Sequence, residues 1–235
     1  MNALKTNLTV AEAGKMATVC IVGANRGIGL ALARVYERRG DMVIAGCRSA
    51  SPELLALDVR VVEGLEVAGD AAVSSWAQEV TGEQLDLLIH NAGISRRVTW
   101  DALDFDAMRE QFEVNTLGPM RVIKALEGSL GSGSRVAVIT SRMGSVEDNT
   151  SGSHYGYRIS KCGVNMMVRS LAQDIAEDGI AVGVFHPGYV RTDMTHGQGF
   201  ISAEECADML VQRFDELKLE NAGRFFHANG EELPW

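Results

Sequence analysis

Tyr157 and Lys161 stand four residues apart in Tyr157-Arg158-Ile159-Ser160-Lys161, and on a helix such positions share a face. That spacing aims a phenol and an ammonium into one cleft. A free tyrosine titrates near ~10 and is a poor proton donor or acceptor at neutral pH, but a neighbouring cation favours the phenolate. A shift of ~3 units needs about 4 kcal/mol of differential stabilisation. The pair reads as a proton-transfer device in which Lys161 lowers the tyrosine pKa, although ordinary helix packing also produces the pattern. Tyr155 has Ile159 four residues on and lacks the cation.

Two further positions could complete the chemistry. Ser141 follows the apolar run Val138-Ile139-Thr140, and a hydroxyl at a strand end can donate to a substrate carbonyl; Ser145, deeper in the following loop, is the second choice. Asn115 lies in Glu113-Val114-Asn115-Thr116-Leu117-Gly118-Pro119. Pro119 has no N–H, so the Asn115 carbonyl loses its helical partner, and a kink there frees it to hold an ordered water on a proton path past Lys161. The plainer reading is a kink that only shapes the helix.

Such residues need a scaffold, and the chain is long enough to supply one. Its 235 residues are 46% hydrophobic and 23% charged, the balance of a globular protein with a sizeable core. The net charge of −9 repels polyanions and argues against nucleic acid as a partner. No apolar run reaches the roughly 18 residues of a membrane span. The four cysteines form no C-x-x-C pair, and neither disulfide scaffold nor zinc site is expected, which fits a reducing cytoplasm. The histidines His90, His154, His186, His196 and His227 show no ligand spacing, so no metal is expected.

Short apolar, β-branched runs at 18–22, 42–45, 59–62, 85–89, 135–140, 180–185 and 223–226 alternate with helical spacing at 29–39, 70–80, 104–128, 155–177 and 203–217. Near-continuous apolar strands imply a sheet covered on both faces. The alternation implies an α/β fold with a mostly parallel, doubly wound sheet. Residues 1–16 read as an N-terminal tail, with Met16 an alternative start to Met1, and 17–235 as a single domain.

In such a sheet ligands bind beyond the carboxyl ends of the strands. After the first run comes Val22-Gly23-Ala24-Asn25-Arg26-Gly27-Ile28-Gly29. Glycines there permit positive φ and let a pyrophosphate approach the backbone at a helix N-terminus. An NAD site usually carries an acid at the end of the second strand, but here that strand ends in Gly46-Cys47-Arg48. Arg48, helped by Arg26, suits a 2′-phosphate instead, so NADP(H) is expected over NAD(H).

In Gly23-x-x-x-Gly27-x-Gly29, Asn91-Ala92-Gly93, Asn115, Ser141, Tyr157-x-x-x-Lys161 and Pro187-Gly188-x-Val190-x-Thr192, the chain resembles the short-chain dehydrogenase/reductase family from Thr18 onward. Within it, Val22–Leu30, Arg142–Gly144 and the closing Gly223-Arg224-Phe225-Phe226 look most like the branch of C-factor-like and sniffer-type carbonyl reductases. The resemblance implies a Rossmann-type sheet of about seven strands in the order 3-2-1-4-5-6-7. It implies Tyr157 as catalytic acid/base, Lys161 lowering its pKa and binding the ribose, Ser141 orienting the substrate and Asn115 holding the relay water. Asn91, Ala92 and Gly93 would support the cofactor, and Pro187, Gly188, Val190 and Thr192 would embrace the nicotinamide. Glu66-Val67 matches the place where an acid caps the adenine, with Asp58-Val59 a competing alignment. Val22 replaces the family's usual threonine, and the stretch from Ser141 to Tyr157 is longer than usual.

The function expected is NADP(H)-dependent interconversion of a small-molecule carbonyl and an alcohol, by a homodimer or homotetramer paired through the helices at 104–128 and 155–177. The alternatives are a cofactor-binding sensor or signalling protein without turnover, and an epimerase or dehydratase with tightly held NAD, which Arg48 disfavours. Arg96 and Arg97 read as solvated charge or as attractors of an acidic substrate. Trp100, Met143, Met194 and Phe200 are either pocket or core, and the short segment at 193–202 leaves little for a lid.

Overall fold

In the computed structural model, which describes residues 16–235, seven parallel strands form one sheet in the order β3-β2-β1-β4-β5-β6-β7. The strands are β1 (Thr18–Val22), β2 (Met42–Gly46), β3 (Arg60–Val62), β4 (Leu87–His90), β5 (Arg135–Ile139), β6 (Ala181–His186) and β7 (Phe225–His227). The helices are α1 (Gly27–Arg39), α2 (Pro52–Leu55), α3 (Asp70–Val80), α4 (Phe105–Phe112), α5 (Gly118–Ala125), α6 (Tyr155–Asp174) and α7 (Ala203–Asp215). The expected tail lies, apart from Met16, outside the described residues.

Continuous apolar strands arise because both faces are covered. In β1, Val19 and Ile21 enter one core cluster while Cys20 and Val22 enter the other, the period-2 alternation of a strand. The first cluster takes Leu32, Val35 and Tyr36 of α1 with Leu210 and Phe214 of α7. The second takes Trp76 of α3, Val122 and Ile123 of α5, and Val164 and Val168 of α6. Trp76 is almost fully buried, donating from Nε1 to the Val62 carbonyl at 3.1 Å. A β-carbon on Gly46 would stand 2.7 Å from the indole, which accounts for glycine at the end of β2.

The helix expected over 104–128 divides. α4 runs into a π turn at Glu113–Leu117, in which the Gly118 N–H donates to the Glu113 carbonyl five residues back, and α5 then begins with Pro119 in its first turn. Pro119 offers no N–H to Asn115, and the chain widens rather than breaking. One turn of helix, α2, escaped the periodicity reading; Ser51 caps it by accepting from Leu54 N. The free edge of β7 is covered by an antiparallel return at Glu232 and Leu233, whose Leu233 N–H donates to Phe225 at 2.7 Å. Covering an edge in this way blocks pairing with another chain.

Candidate active site

The cofactor end is defined by absent side chains. Gly23 (φ 84°) and Gly27 (φ 54°) adopt left-handed conformations in the turn between β1 and α1. A β-carbon on Gly23 would lie 2.7 Å from Ala92 N, and one on Gly29 would meet the Gly23 carbonyl oxygen and lie 2.7 Å from Asn91 Nδ2. Asn91 Nδ2 donates to that same carbonyl at 2.9 Å, so the Asn91-Ala92-Gly93 loop locks the glycine turn. No side chain caps α1 at Arg26, leaving its opening N–H groups to a ligand. A turn bracketed by Gly23 and Gly27 before an uncapped helix, with Arg26 and Arg48 nearby, fits a dinucleotide phosphate.

The remaining cofactor candidates divide into those facing the crevice and those holding it. Asn25 accepts from Ser51 N through Oδ1 and from Ser51 Oγ through its carbonyl, so it anchors the loop after β2. Ile28 is half-buried against the α1/α7 core. Arg26 Nη1 bonds Asp193 at 2.8 Å across the mouth of the crevice, and Thr192 Cγ2 lies 3.3 Å from where a β-carbon on Gly27 would be. The loop after β6 therefore closes directly over the glycine turn. Gly188 is left-handed (φ 90°), Val190 is buried, and Cys206 Sγ donates to the Pro187 carbonyl at 3.3 Å. Arg48 Nη1 lies 3.5 Å from Glu66. Glu66 and the buried Val67 follow β3 at its carboxyl end. Asp58 precedes β3 and donates its N–H to Glu37, at the wrong end of the sheet for an adenine.

At the catalytic end, Lys161 Nζ lies 5.8 Å from the centre of the Tyr157 ring, while Tyr155 instead packs its ring against Trp100 at 6.4 Å. Ser141 lies close enough to the Tyr157 phenol to lower its pKa, and its Oγ accepts from Met143 N at 3.1 Å. Ser145, the other serine, is buried; its hydroxyl donates to the Trp235 carbonyl and accepts from Asp148 N, both at 3.0 Å. Asn115 is buried at the π turn, accepting from Ile94 N at 2.8 Å and donating to the Ile94 carbonyl at 2.8 Å and to Ser160 Oγ at 3.0 Å. A β-carbon on Gly93 would stand 3.1 Å from Asn115 Oδ1 and 3.5 Å from Lys161 Nζ, so this glycine lets the three meet.

The electrostatics correct one expectation. Burial pushes Tyr157 up to about 12, offset only in part by Ser141, so the protein's own groups do not bring the phenol below its usual value. Lys161, buried and donating to the Ile139 carbonyl at 3.0 Å, is pushed down to about 8 by desolvation. Helical spacing puts the two side chains on one face but says nothing of how dry that face is, and desolvation penalises both charged forms. His90, buried at the end of β4, is held neutral by burial and by the Lys161 charge.

Ser160 escaped the sequence reading. Fully buried, it accepts from Asn115 Nδ2 and donates to the Tyr157 carbonyl at 2.8 Å, tying the π turn to α6; its place one turn after Tyr157 was the available signal. Arg96 pairs with Glu110 on the surface. Trp100, Met194 and Phe200 are exposed and so are not core, and Met143 is half-buried. The four cysteines are unpaired, and among the described residues no group of side chains could hold a metal and no helix is long and apolar enough to cross a membrane.

A sequence model of the short chain dehydrogenase family matches residues 17–199. The chain is 39% identical to 1-hydroxy-2-glutathionyl-2-methyl-3-butene dehydrogenase of Rhodococcus sp. (strain AD45), covering 94% of this chain and all of that one. It is 40% identical to C-signal of Myxococcus xanthus over 68% of this chain and 99% of that protein. A carbonyl reductase from Pseudomonas aeruginosa PAO1 in complex with NADP superposes with a TM-score of 0.83 at 32% identity, covering 94% of this chain and all of the other. Fold, motif order and these likenesses agree: the chain is an oxidoreductase belonging to the short chain dehydrogenase family.

Proposed function

We propose that the protein interconverts a carbonyl and an alcohol using NADP(H), with Tyr157, Ser141, Lys161 and Asn115 as its catalytic set. One observation carries the reading: the buried Lys161 Nζ lies 5.8 Å from the centre of the Tyr157 ring at the carboxyl end of the sheet, with Ser141 close enough to lower the phenol's pKa. When bound, the dinucleotide supplies or accepts the hydride. Gly23, Gly27, Gly29 and the opening N–H groups of α1 would hold its phosphates, with Arg26 and Arg48 drawn to a 2′-phosphate. The NADP-bound carbonyl reductase relative supports this cofactor.

The chain's own groups do the proton chemistry. Ser141 orients the substrate oxygen, and Tyr157 gives it a proton in reduction and takes one in oxidation. With its pKa pushed up to about 12, the phenol is protonated at neutral pH and carries the proton that reduction requires. Oxidation needs the phenolate, which the Lys161 ammonium and the positive charge of an oxidised nicotinamide both favour. Asn115, fixed by Ile94 and Ser160, keeps the π turn beside Lys161, where its carbonyl would hold the relay water. The exposed Trp100, Met194 and Phe200 suit an apolar substrate, and exposed Phe112, Met120, Ile159 and Met166 on α4, α5 and α6 suit pairing of copies. A cytoplasmic setting accords with the unpaired cysteines.

The test is NADPH oxidation, followed by absorbance, across a panel of aldehydes and ketones. Turnover lost in Tyr157→Phe with NADPH binding retained supports the assignment; turnover retained in that variant refutes it. The likeness to C-signal favours a second reading, a signalling protein that binds cofactor without turnover, which NADPH binding with an inert panel would establish.

A further inference from the structure

The segment between Ser141 and Tyr157 is built under strain. Gly152, Ser153 and His154 all have positive φ, at 62°, 59° and 51°, and for serine and histidine that region is disfavoured. Something must hold the loop in this shape. From α6, Arg158 Nε donates to the Gly152 and Ser153 carbonyls at 3.0 and 3.1 Å, and its Nη2 donates to Ser151 Oγ at 2.9 Å. Those bonds fix the end of the loop nearest Tyr157.

The other end, nearest Ser141, is gripped by residues some ninety positions away in sequence. The Trp235 backbone oxygen accepts from Val146 N at 2.6 Å, Glu147 N at 3.2 Å and Ser145 Oγ at 3.0 Å. Arg142 forms ion pairs with Glu231 at 3.2 Å and Asp148 at 3.0 Å, joining the residue after Ser141 both to its own loop and to the return strand. That return strand is itself anchored: Leu233 is buried in the core, and the Trp235 ring stacks on Phe225 at 5.6 Å.

We propose that Glu231–Trp235 is a clamp that positions the substrate wall of the active site, with Ser145, Glu231 and Trp235 as positioning residues. They touch neither reacting atoms nor the glycine turn. Their effect reaches the chemistry through the loop that starts at Ser141 and carries Met143 and the exposed Val146, so it falls on substrate binding rather than on cofactor binding. The inference rests on the carbonyl–alcohol reading for its kinetic part and on geometry alone for the clamp.

The test is made on the whole chain with Ser145→Ala, Glu231→Gln and the double variant. Amide hydrogen exchange at Val146 and Glu147 should quicken about tenfold in the double variant while β5 amides keep their rates, because the opening is local. KM for a carbonyl substrate should rise about tenfold, with kcat within about threefold and NADPH Kd within about twofold. Unchanged exchange at Val146 and Glu147 overturns the clamp. Faster exchange with wild-type KM overturns its role in positioning substrate. If Ser145→Ala does not fold, Glu231→Gln, changed at an exposed side chain, carries the same measurements with about threefold shifts. Absence of wild-type turnover strikes the activity reading instead, and the exchange rates still decide the clamp.

Discussion

The two ends of the crevice are held by opposite means. At the cofactor end the shape comes from what is missing: Gly23 and Gly29 leave room that a β-carbon would fill, Gly27 adopts a left-handed conformation, and no side chain caps the opening of α1. At the substrate end the shape comes from side chains: Ser141 on Tyr157, Lys161 on the Ile139 carbonyl, and Asn115 on Ser160. Backbone recognition suits a cofactor whose pyrophosphate never changes, whereas side chains can supply the protons and be replaced as substrates change. The comparison predicts that side-chain deletions at one end erase chemistry while sparing the fold, and that added carbons at the other end injure fold and cofactor binding together.

Tyr157→Phe gives the largest effect: kcat should fall about 10³-fold, the scale of general acid–base catalysis, with thermal stability and NADPH affinity unchanged. A parallel loss of NADPH affinity would mean that the two ends are not separable. The pH profile follows from the same residue. Because burial holds its pKa high, alcohol oxidation should climb with pH through the neutral range while carbonyl reduction stays level or falls, and identical profiles in both directions would contradict that.

Lys161→Met sharpens the contrast from the opposite side, since the ammonium is kept at a cost to stability. Its folded pKa of about 8 lies below the usual 10.5, a gap worth about 3 kcal/mol. Below pH 8 both states are charged and the folded one bears the penalty. Between 8 and 10.5 the unfolded chain binds the proton the folded one has lost, so wild-type stability rises with pH across that window. Lys161→Met should therefore be more stable at pH 7 by up to about 3 kcal/mol, with the advantage fading toward pH 10.5 and with turnover lost. Denaturant titrations at several pH values measure it; a variant less stable than wild type at pH 7 contradicts the desolvation account.

Gly29→Ala probes the backbone end. Its β-carbon would collide with the Gly23 carbonyl oxygen and crowd Asn91 Nδ2, forcing α1 away from the turn. Overpacking of this kind costs about 2 kcal/mol, and NADPH affinity should fall with the melting temperature. A drop in one without the other would show that fold and cofactor site are not the same structure here.

How far each end could be read from the chain follows the same division. The strands were legible because apolar, β-branched runs report burial on both faces, and the glycine turn was legible because glycine spacing reports backbone directly. The strand order rested on resemblance to a family, since parallel strands carry no local mark of their neighbours. Pro119 announced a break in the long helix, but only packing against α6 selects a π turn over two separate helices. Helical spacing reports the proximity of Tyr157 to Lys161 but not the dryness of their face, and it is burial that raises the phenol. The grip of Trp235 on Ser145 was invisible, as it joins residues 90 positions apart whose local sequences carry no sign of each other. The choice between Glu66 and Asp58 turns on which end of β3 each occupies, and only the strand boundary shows that Glu66 follows the strand while Asp58 precedes it.

Arg48 carries the smallest effect and the finest distinction. Its guanidinium lies 3.5 Å from Glu66, with side-chain exposures of 73% and 46%, and so open a pair contributes at most about 1 kcal/mol. A 2′-phosphate, with three oxygens and more charge, is the stronger partner for a planar fork. Arg48→Ala should therefore lower the ratio of kcat/KM for NADPH over NADH about tenfold, equivalent to about 1.4 kcal/mol. Glu66→Gln should act in the other direction, raising the ratio about threefold, because it removes a competing carboxylate without adding bulk. If both substitutions leave the ratio unchanged, the second strand's arginine is a surface charge, and any preference for NADP(H) must come from Arg26, which would first have to leave Asp193.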